Sequence, residues 1–271
     1  MRKYLCFTLF VSICSLSGFA QTRGLEPALG SLTRHQTAAI ERARRFMADS
    51  LRTYNIPGAS VSVSMNGKVV WSEGFGYADL EQKVPVTPET KFRIGSISKP
   101  LTAAALGLLY EKGRINLDTL IQAYVPTFPL KRQMITLRQL AGHIAGVRHY
   151  RDDEMLLSKR FLTVEAGLGI FRNDTLLFEP GTRFSYSSYA WNLISAAIER
   201  ATGVEFLQYM DKMVIHPLGM SNTIADFSDS LSQIGQDGTQ KIPWVTRLTH
   251  RLSTTVTNGQ GVGFFQRQKT F

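Results

Sequence analysis

A hydroxyl and an amine three residues apart are where this chain can do chemistry. In Phe92-Arg93-Ile94-Gly95-Ser96-Ile97-Ser98-Lys99-Pro100-Leu101, the spacing of Ser96 and Lys99 puts both side chains on one helical face, and Gly95 permits a sharp turn just before them. A serine is too weakly acidic to attack a carbonyl unless a neighbour takes its proton, and a partly desolvated lysine can do that. A helix beginning at Ser96 adds unpaired N–H groups and a positive dipole end, which favour negative charge developing on a substrate oxygen. One Ser-x-x-Lys arises by chance in roughly every few hundred residues, so the flanks matter. An Ile-Gly turn precedes the serine, and an apolar run from Leu101 to Tyr110 follows the lysine as a buried helix requires.

The pair needs elements that hold it. Thr33 and Gln36 form a capping box, and Ala39, Ile40, Ala43, Phe46, Met47 and Leu51 recur at helical spacing until Asn55-Ile56-Pro57-Gly58 stops them. The pattern predicts an amphipathic helix. Ala59 to Met65 alternates, Asn66-Gly67 supplies a type I′ turn, and Lys68 to Phe75 returns, which predicts a β-hairpin. Beyond the nucleophile segment, Pro180-Gly181 turns the chain into Phe184-Ser185-Tyr186-Ser187-Ser188-Tyr189, which opens a helix running from about Tyr189 to Ala201. Val204 to Met213 has helical spacing too. A phenol such as Tyr186, held near cationic or hydroxyl groups, can pass a proton to a leaving group; its alternative role is a buried anchor for the turn.

The Ser96-x-x-Lys99 segment resembles the first motif of the serine β-lactamase and penicillin-binding protein superfamily, and in detail its class C-like branch of serine hydrolases. Thr136, Leu140, His143 and Gly146 are similar to that branch's Thr-x-x-x-Leu-Leu-x-His-x-x-Gly segment, and Tyr186 matches its second-motif tyrosine. The similarity runs from about Arg42 to Thr223. It implies an α/β fold, an antiparallel sheet flanked by helices with an all-helical insert between the Ser96 and Tyr186 elements, and the hairpin and first helix at the sheet edge. It also implies hydrolysis of an amide or ester through an acyl-enzyme. Ser96 attacks, Lys99 accepts its proton, Tyr186 protonates the leaving group, and the Ser96 N–H forms half of an oxyanion hole. Ser188 stands at a substrate-binding position where many β-lactamases have Asn, a departure that fits peptidase-like or esterase-like relatives better. The substrate is then a peptide, an ester or a β-lactam-like molecule, with no metal or organic cofactor implied. The alternative is a non-catalytic member that binds peptide, cell-wall fragments or itself.

Other residues take quieter roles. His143 can act as a base, but a histidine after a helix turn more often satisfies backbone groups. His35, His149 and His216 show no metal-ligand spacing. Asp152, Asp153 and Glu154 read as an acidic surface loop. Arg2 and Lys3, an apolar run from Tyr4 to Ile13, and Gly18-Phe19-Ala20 read as a signal peptide spanning 1–20, which predicts export to the periplasm or outside the cell. The run is short for a membrane span. Both cysteines, Cys6 and Cys14, lie within residues 1–20, so residues 21–271 offer no disulfide and no cysteine nucleophile.

Of the formal charge of +10, +2 lies in that leader and +4 in residues 232–271, where Lys241, Arg247, Arg251, Arg267 and Lys269 face Asp237 alone. Arg34, Arg42, Arg44, Arg45 and Arg52 make one helix face basic without interleaved aromatics, which argues against nucleic-acid binding. The hydrolase domain is expected over 21–231. Residues 232–271 show no His/Lys-x-Gly strand, so the later sheet strands are expected to be missing. With allowed codons read from the third base, Ser232 to Lys241 become Pro-Asn-Arg-Ala-Arg-Trp-Tyr-Ser-Lys. In the same frame His250 to Phe265 become Pro-Pro-Ile-Asp-Asn-Ser-Tyr-Lys-Trp-Ala-Gly-Gly-Gly-Phe-Leu. Both match the family in its order, so the tail is expected to be an out-of-frame translation and the activity impaired.

Overall fold

The computed structural model describes residues 32–156, 161–226 and a strand at Phe264–Gln266. The expected leader, and the reading of the tail as out of frame, lie outside the described residues.

The capping box forms: the Gln36 N–H donates to Thr33 Oγ1 at 3.2 Å and the Thr33 N–H to Gln36 Oε1 at 2.8 Å, starting helix α1 (Arg34–Thr53). Its apolar residues are less covered than the periodicity implies, since no residue of α1 is fully buried and Phe46 is 70% exposed. Strands β1 (Gly58–Met65) and β2 (Lys68–Asp79) pair antiparallel with Met65 opposite Lys68. Asn66 and Gly67 have φ of 51° and 74°, the two positive values a type I′ turn demands.

Strand β2 runs to Asp79 rather than stopping at Phe75 because its glycines admit a third strand, β3 (Val84–Pro85). A Cβ on Gly74 would stand 2.1 Å from the Val86 carbonyl oxygen. A second antiparallel sheet has the order β4 (Phe92–Arg93), β6 (Phe264–Gln266), β5 (Thr223–Ala225). The expectation of a tail without strands therefore needs correction at three residues. Backbone pairing between two short neighbours produces this strand, and side-chain periodicity over three residues leaves no readable mark.

Between the two chemical motifs the described residues are helical or irregular, with one isolated bridge from Leu120 to Thr136. A 3₁₀ turn, Gly95–Ile97, runs into α2 (Ser98–Glu111). Then come α3 (Ile121–Tyr124), α4 (Leu137–Ala141), a 3₁₀ turn at Asp152–Leu156 and α5 (Val164–Leu168). Helix α6 (Ser188–Thr202) is the core element, with Leu193, Ile194 and Ile198 wholly buried in one cluster with Ala105, Leu106 and Leu109 of α2. The helix expected over Val204 to Met213 is α7 (Phe206–Met210), which widens into a π-helical turn at Asp211–Ile215.

Two glycines test the packing of the sheet. Gly74→Ala pushes a methyl into backbone and is expected to cost about 1–3 kcal/mol. Gly107→Ala, on α2 with nothing within 4 Å of the new Cβ, is expected to be neutral or to add about 0.5–1 kcal/mol. Urea titration of the two variants measures the contrast, and equal effects would contradict the close approach.

Candidate active site

Gly95 has φ of +50°, and a Cβ there would meet nothing within 4 Å, so the backbone angle alone favours glycine. That turn starts the 3₁₀ segment and presents Ser96 at the surface, while the Ser98 hydroxyl donates to the Gly95 carbonyl at 2.7 Å and steadies the turn from beneath. One turn on, Lys99 Nζ lies 3.1 Å from Ser96 Oγ. The N-terminus of α6 arrives opposite. Ser187 caps it, accepting the Ala190 N–H at 3.0 Å and donating to the Arg148 carbonyl at 2.7 Å.

The structure brings all four sequence-predicted site residues together. The Tyr186 hydroxyl is 2.7 Å from Ser96 Oγ, and Lys99 Nζ is 3.2 Å from Ser188 Oγ and 4.9 Å from the Tyr186 ring centroid. Ser188 is buried and Tyr186 is 39% exposed beside Ser96, not sealed in the core as an anchor. Burial pushes the Tyr186 phenol up, but hydrogen bonding and charge from Lys99, with the hydroxyls of Ser96 and Ser188, outweigh this and leave it below its ordinary value. Ile97, next in sequence to Ser96, and Phe184, whose ring centroid lies 5.8 Å from that of His143, are exposed apolar side chains. No group of three or more His, Cys, Asp or Glu among the described residues is arranged to hold a metal. None of the described helices is long and apolar enough to cross a membrane.

Behind the site His143 takes the backbone-satisfying role its place after a helix turn implied, whereas the part of His149 was missed. His143 accepts the Ser187 N–H on Nδ1 at 3.0 Å and stacks on Tyr186 with ring centroids 4.6 Å apart. Trp191 Nε1 stands 3.3 Å from the other ring nitrogen. A neutral imidazole has one acceptor nitrogen, and the shorter bond claims it. His149, set aside earlier as a histidine without metal spacing, accepts the Ser188 N–H on Nδ1 at 3.2 Å. Burial, then the charge of Lys99, holds both imidazoles below the ordinary histidine value. The only sign in the sequence was three polar side chains in a row, Arg148-His149-Tyr150, close after Gly146.

Of the acidic loop, Asp152 and Asp153 are exposed as expected, and only Glu154 needs correction. Glu154 faces inward and takes two hydrogen bonds from the buried Arg148, at 2.5 and 2.9 Å, with Asp174 on the guanidinium's other side. The Tyr189 hydroxyl adds a bond at 2.9 Å. An inward arginine six residues upstream turned a surface acid into a partner. Burial alone would raise the Glu154 carboxyl, but Arg148, the Arg151 N–H and Tyr189 bring it below the usual range. Its folded value is depressed, so its contribution is present above the unfolded value of 4.5 and is lost as pH falls through the folded one. Glu154→Gln is expected to cost about 1–3 kcal/mol. Denaturant titrations of both proteins should converge as pH drops below that range, and an unchanging gap would contradict the assignment.

A sequence model of the beta-lactamase family matches residues 41–247. The mitochondrial serine beta-lactamase-like protein LACTB of Bos taurus is 32% identical over 268 residues, covering 72% of this chain and 48% of that protein. The hydrolase EstCE1, described as having promiscuous acyltransferase activity, superposes with a TM-score of 0.65 at 30% identity, over 72% of this chain and 55% of that one. The D-amino acid amidase of Ochrobactrum anthropi SV3 gives a TM-score of 0.61 at 26% identity, over 68% and 51%. The chain spans about half the length of the curated relatives it matches. With an α/β architecture of helices and antiparallel sheet, and with a family match over most of its length, the chain belongs to the beta-lactamase family.

Proposed function

We propose that this protein is an exported serine hydrolase that cleaves an amide or ester through an acyl-enzyme. The observation that carries the reading is the single cluster of Ser96 Oγ, Lys99 Nζ and the Tyr186 hydroxyl, with distances of 3.1 and 2.7 Å to the serine oxygen. Ser96 Oγ attacks the substrate carbonyl carbon and its proton passes to Lys99 Nζ. Charge collects on the carbonyl oxygen, where the Ser96 N–H, in the first turn of its helix, is one donor. Tyr186 gives a proton to the departing amine or alcohol as the tetrahedral intermediate collapses, which leaves Ser96 acylated. Water then attacks the acyl carbon with the same groups in reversed roles.

The family's esterase-like and amidase-like neighbours support the breadth of this chemistry, and the serine at position 188 supports a peptide or ester over a β-lactam. The exposed apolar side chains of Ile97 and Phe184 suit a substrate with a hydrophobic group beside the scissile bond. Export is supported by the basic, apolar and small-residue order of residues 1–20.

Incubating the full chain with a fluorophosphonate probe tests the mechanism. Slow covalent labelling is expected, located by peptide mass spectrometry at Ser96 and abolished in Ser96→Ala. Lys99→Met and Tyr186→Phe are expected to slow it by about 10²–10⁴-fold. Absence of any adduct on the wild-type chain, or an adduct that survives in Ser96→Ala, overturns the reading. Labelled penicillin in a parallel arm separates β-lactam recognition from general acyl transfer.

A further inference from the structure

A helix start leaves backbone N–H groups without intrahelical partners, and Ser, Thr, Asp or Asn oxygens usually take them. At α6, two such donors go to imidazoles: Ser187 N–H to His143 Nδ1 at 3.0 Å and Ser188 N–H to His149 Nδ1 at 3.2 Å. Ser188 is also the residue whose hydroxyl takes the second hydrogen bond from Lys99 Nζ, at 3.2 Å. Where the Ser188 backbone sits therefore sets where the amine can rest relative to Ser96. His149 is itself well held. Arg148 Nη1 donates to its carbonyl at 3.0 Å, and its ring lies 4.2 Å from that of Tyr150 and 5.3 Å, edge-on, from that of Tyr186.

We propose that His149 is a positioning residue of the Ser96 site: its unprotonated Nδ1 holds the Ser188 amide and thereby seats the Ser188 hydroxyl against the Lys99 amine. This rests on the reading of Ser96 as the nucleophile. Nδ1 accepts only while it carries no proton, so the ring's one proton belongs on Nε2. The titratable and charged groups around it are Lys99 on α2, His143 after α4, Tyr186 before α6, its neighbour Tyr150, and the Arg148–Glu154 pair behind the loop. Burial and the charges of Lys99 and His143 all oppose a second proton. At neutral pH the imidazole is an acceptor. Acidification places an N–H against the Ser188 N–H and a second charge beside Lys99, which dislodges the amide and the hydroxyl with it.

Two substitutions separate holding from filling. His149→Asn keeps an acceptor oxygen near the Nδ1 position and cannot take up a proton, whereas His149→Phe keeps a ring and loses the acceptor. Fluorophosphonate labelling is expected within about threefold of wild type for the Asn variant and about 10- to 100-fold slower for the Phe variant. NMR of the full ¹⁵N-labelled wild-type chain adds a readout that does not depend on labelling. The Ser188 amide shift is expected to move with the His149 titration, at a pH below 6.5, and to stay flat over that range in His149→Asn. Equal labelling rates for both variants, or a Ser188 amide indifferent to His149, overturn the proposal. A wild-type chain that fails to label while its Ser188 amide still follows His149 removes the nucleophile reading and leaves the positioning contact standing.

Discussion

Lys99 Nζ reaches two hydroxyls on two different helices, Ser96 Oγ at 3.1 Å and Ser188 Oγ at 3.2 Å, and the arrangement of the cleft follows from that bridge. A buried or half-buried amine must be hydrogen-bonded, and a carboxylate is its commonest partner. A carboxylate here would fasten the proton on the amine. Hydroxyls satisfy the same donors without that charge. Both hydroxyls sit at helix starts, and residues about ninety positions apart come within bonding distance while the helix bodies stay packed.

Core packing makes that possible. Helix α6 buries Leu193, Ile194, Ala197 and Ile198 completely, and α2 contributes Ala105, Leu106 and Leu109 to the same cluster. Each leucine or isoleucine among them is worth about 1.5–3 kcal/mol of transfer out of water, each alanine less. The two helix starts are therefore anchored by apolar contacts one and two turns away, and the polar atoms at the site need supply only orientation. The sheets contribute differently. Strand β4 of the second sheet leads into the turn before Ser96, and α1 beside the first sheet, with Phe46 70% exposed, lends little to the core that fixes α2 against α6.

What could be read in the sequence were the features whose cause is local. Thr33 with Gln36, and Asn66 with Gly67, state their caps and turns within four residues, and Ser96 with Lys99 states its geometry within one helical turn. Tyr186 and Ser188 were legible only through resemblance, since nothing local places a phenol against a serine ninety residues back. His149 and Glu154 were missed for the complementary reason. Their partners are a backbone amide 39 positions on and an inward-turned Arg148, and neither a main-chain donor nor a side chain's direction has a letter in the sequence. Strand β6 failed on length, being too short for a period.

The ion pair three residues before Ser96 sets burial against attraction. Arg93, at the end of β4 and three residues before Ser96, meets Asp226, just after β5, at 2.8 Å, with the carboxylate side chain wholly buried. Burial pushes the Asp226 carboxyl up to about 6, against the pull of Arg93, and burial likewise lowers the Arg93 guanidinium despite Asp226. Both partners thus move toward neutrality, so desolvation exceeds their mutual attraction. For Asp226 the folded state holds its proton more tightly than the unfolded chain does, and the carboxylate's contribution to stability falls as pH rises from 3.8 to about 6. Burial is the cost and the Arg93–Asp226 attraction offsets part of it, while the contact ties β4, the strand before Ser96, to β5, the strand after the last described helix.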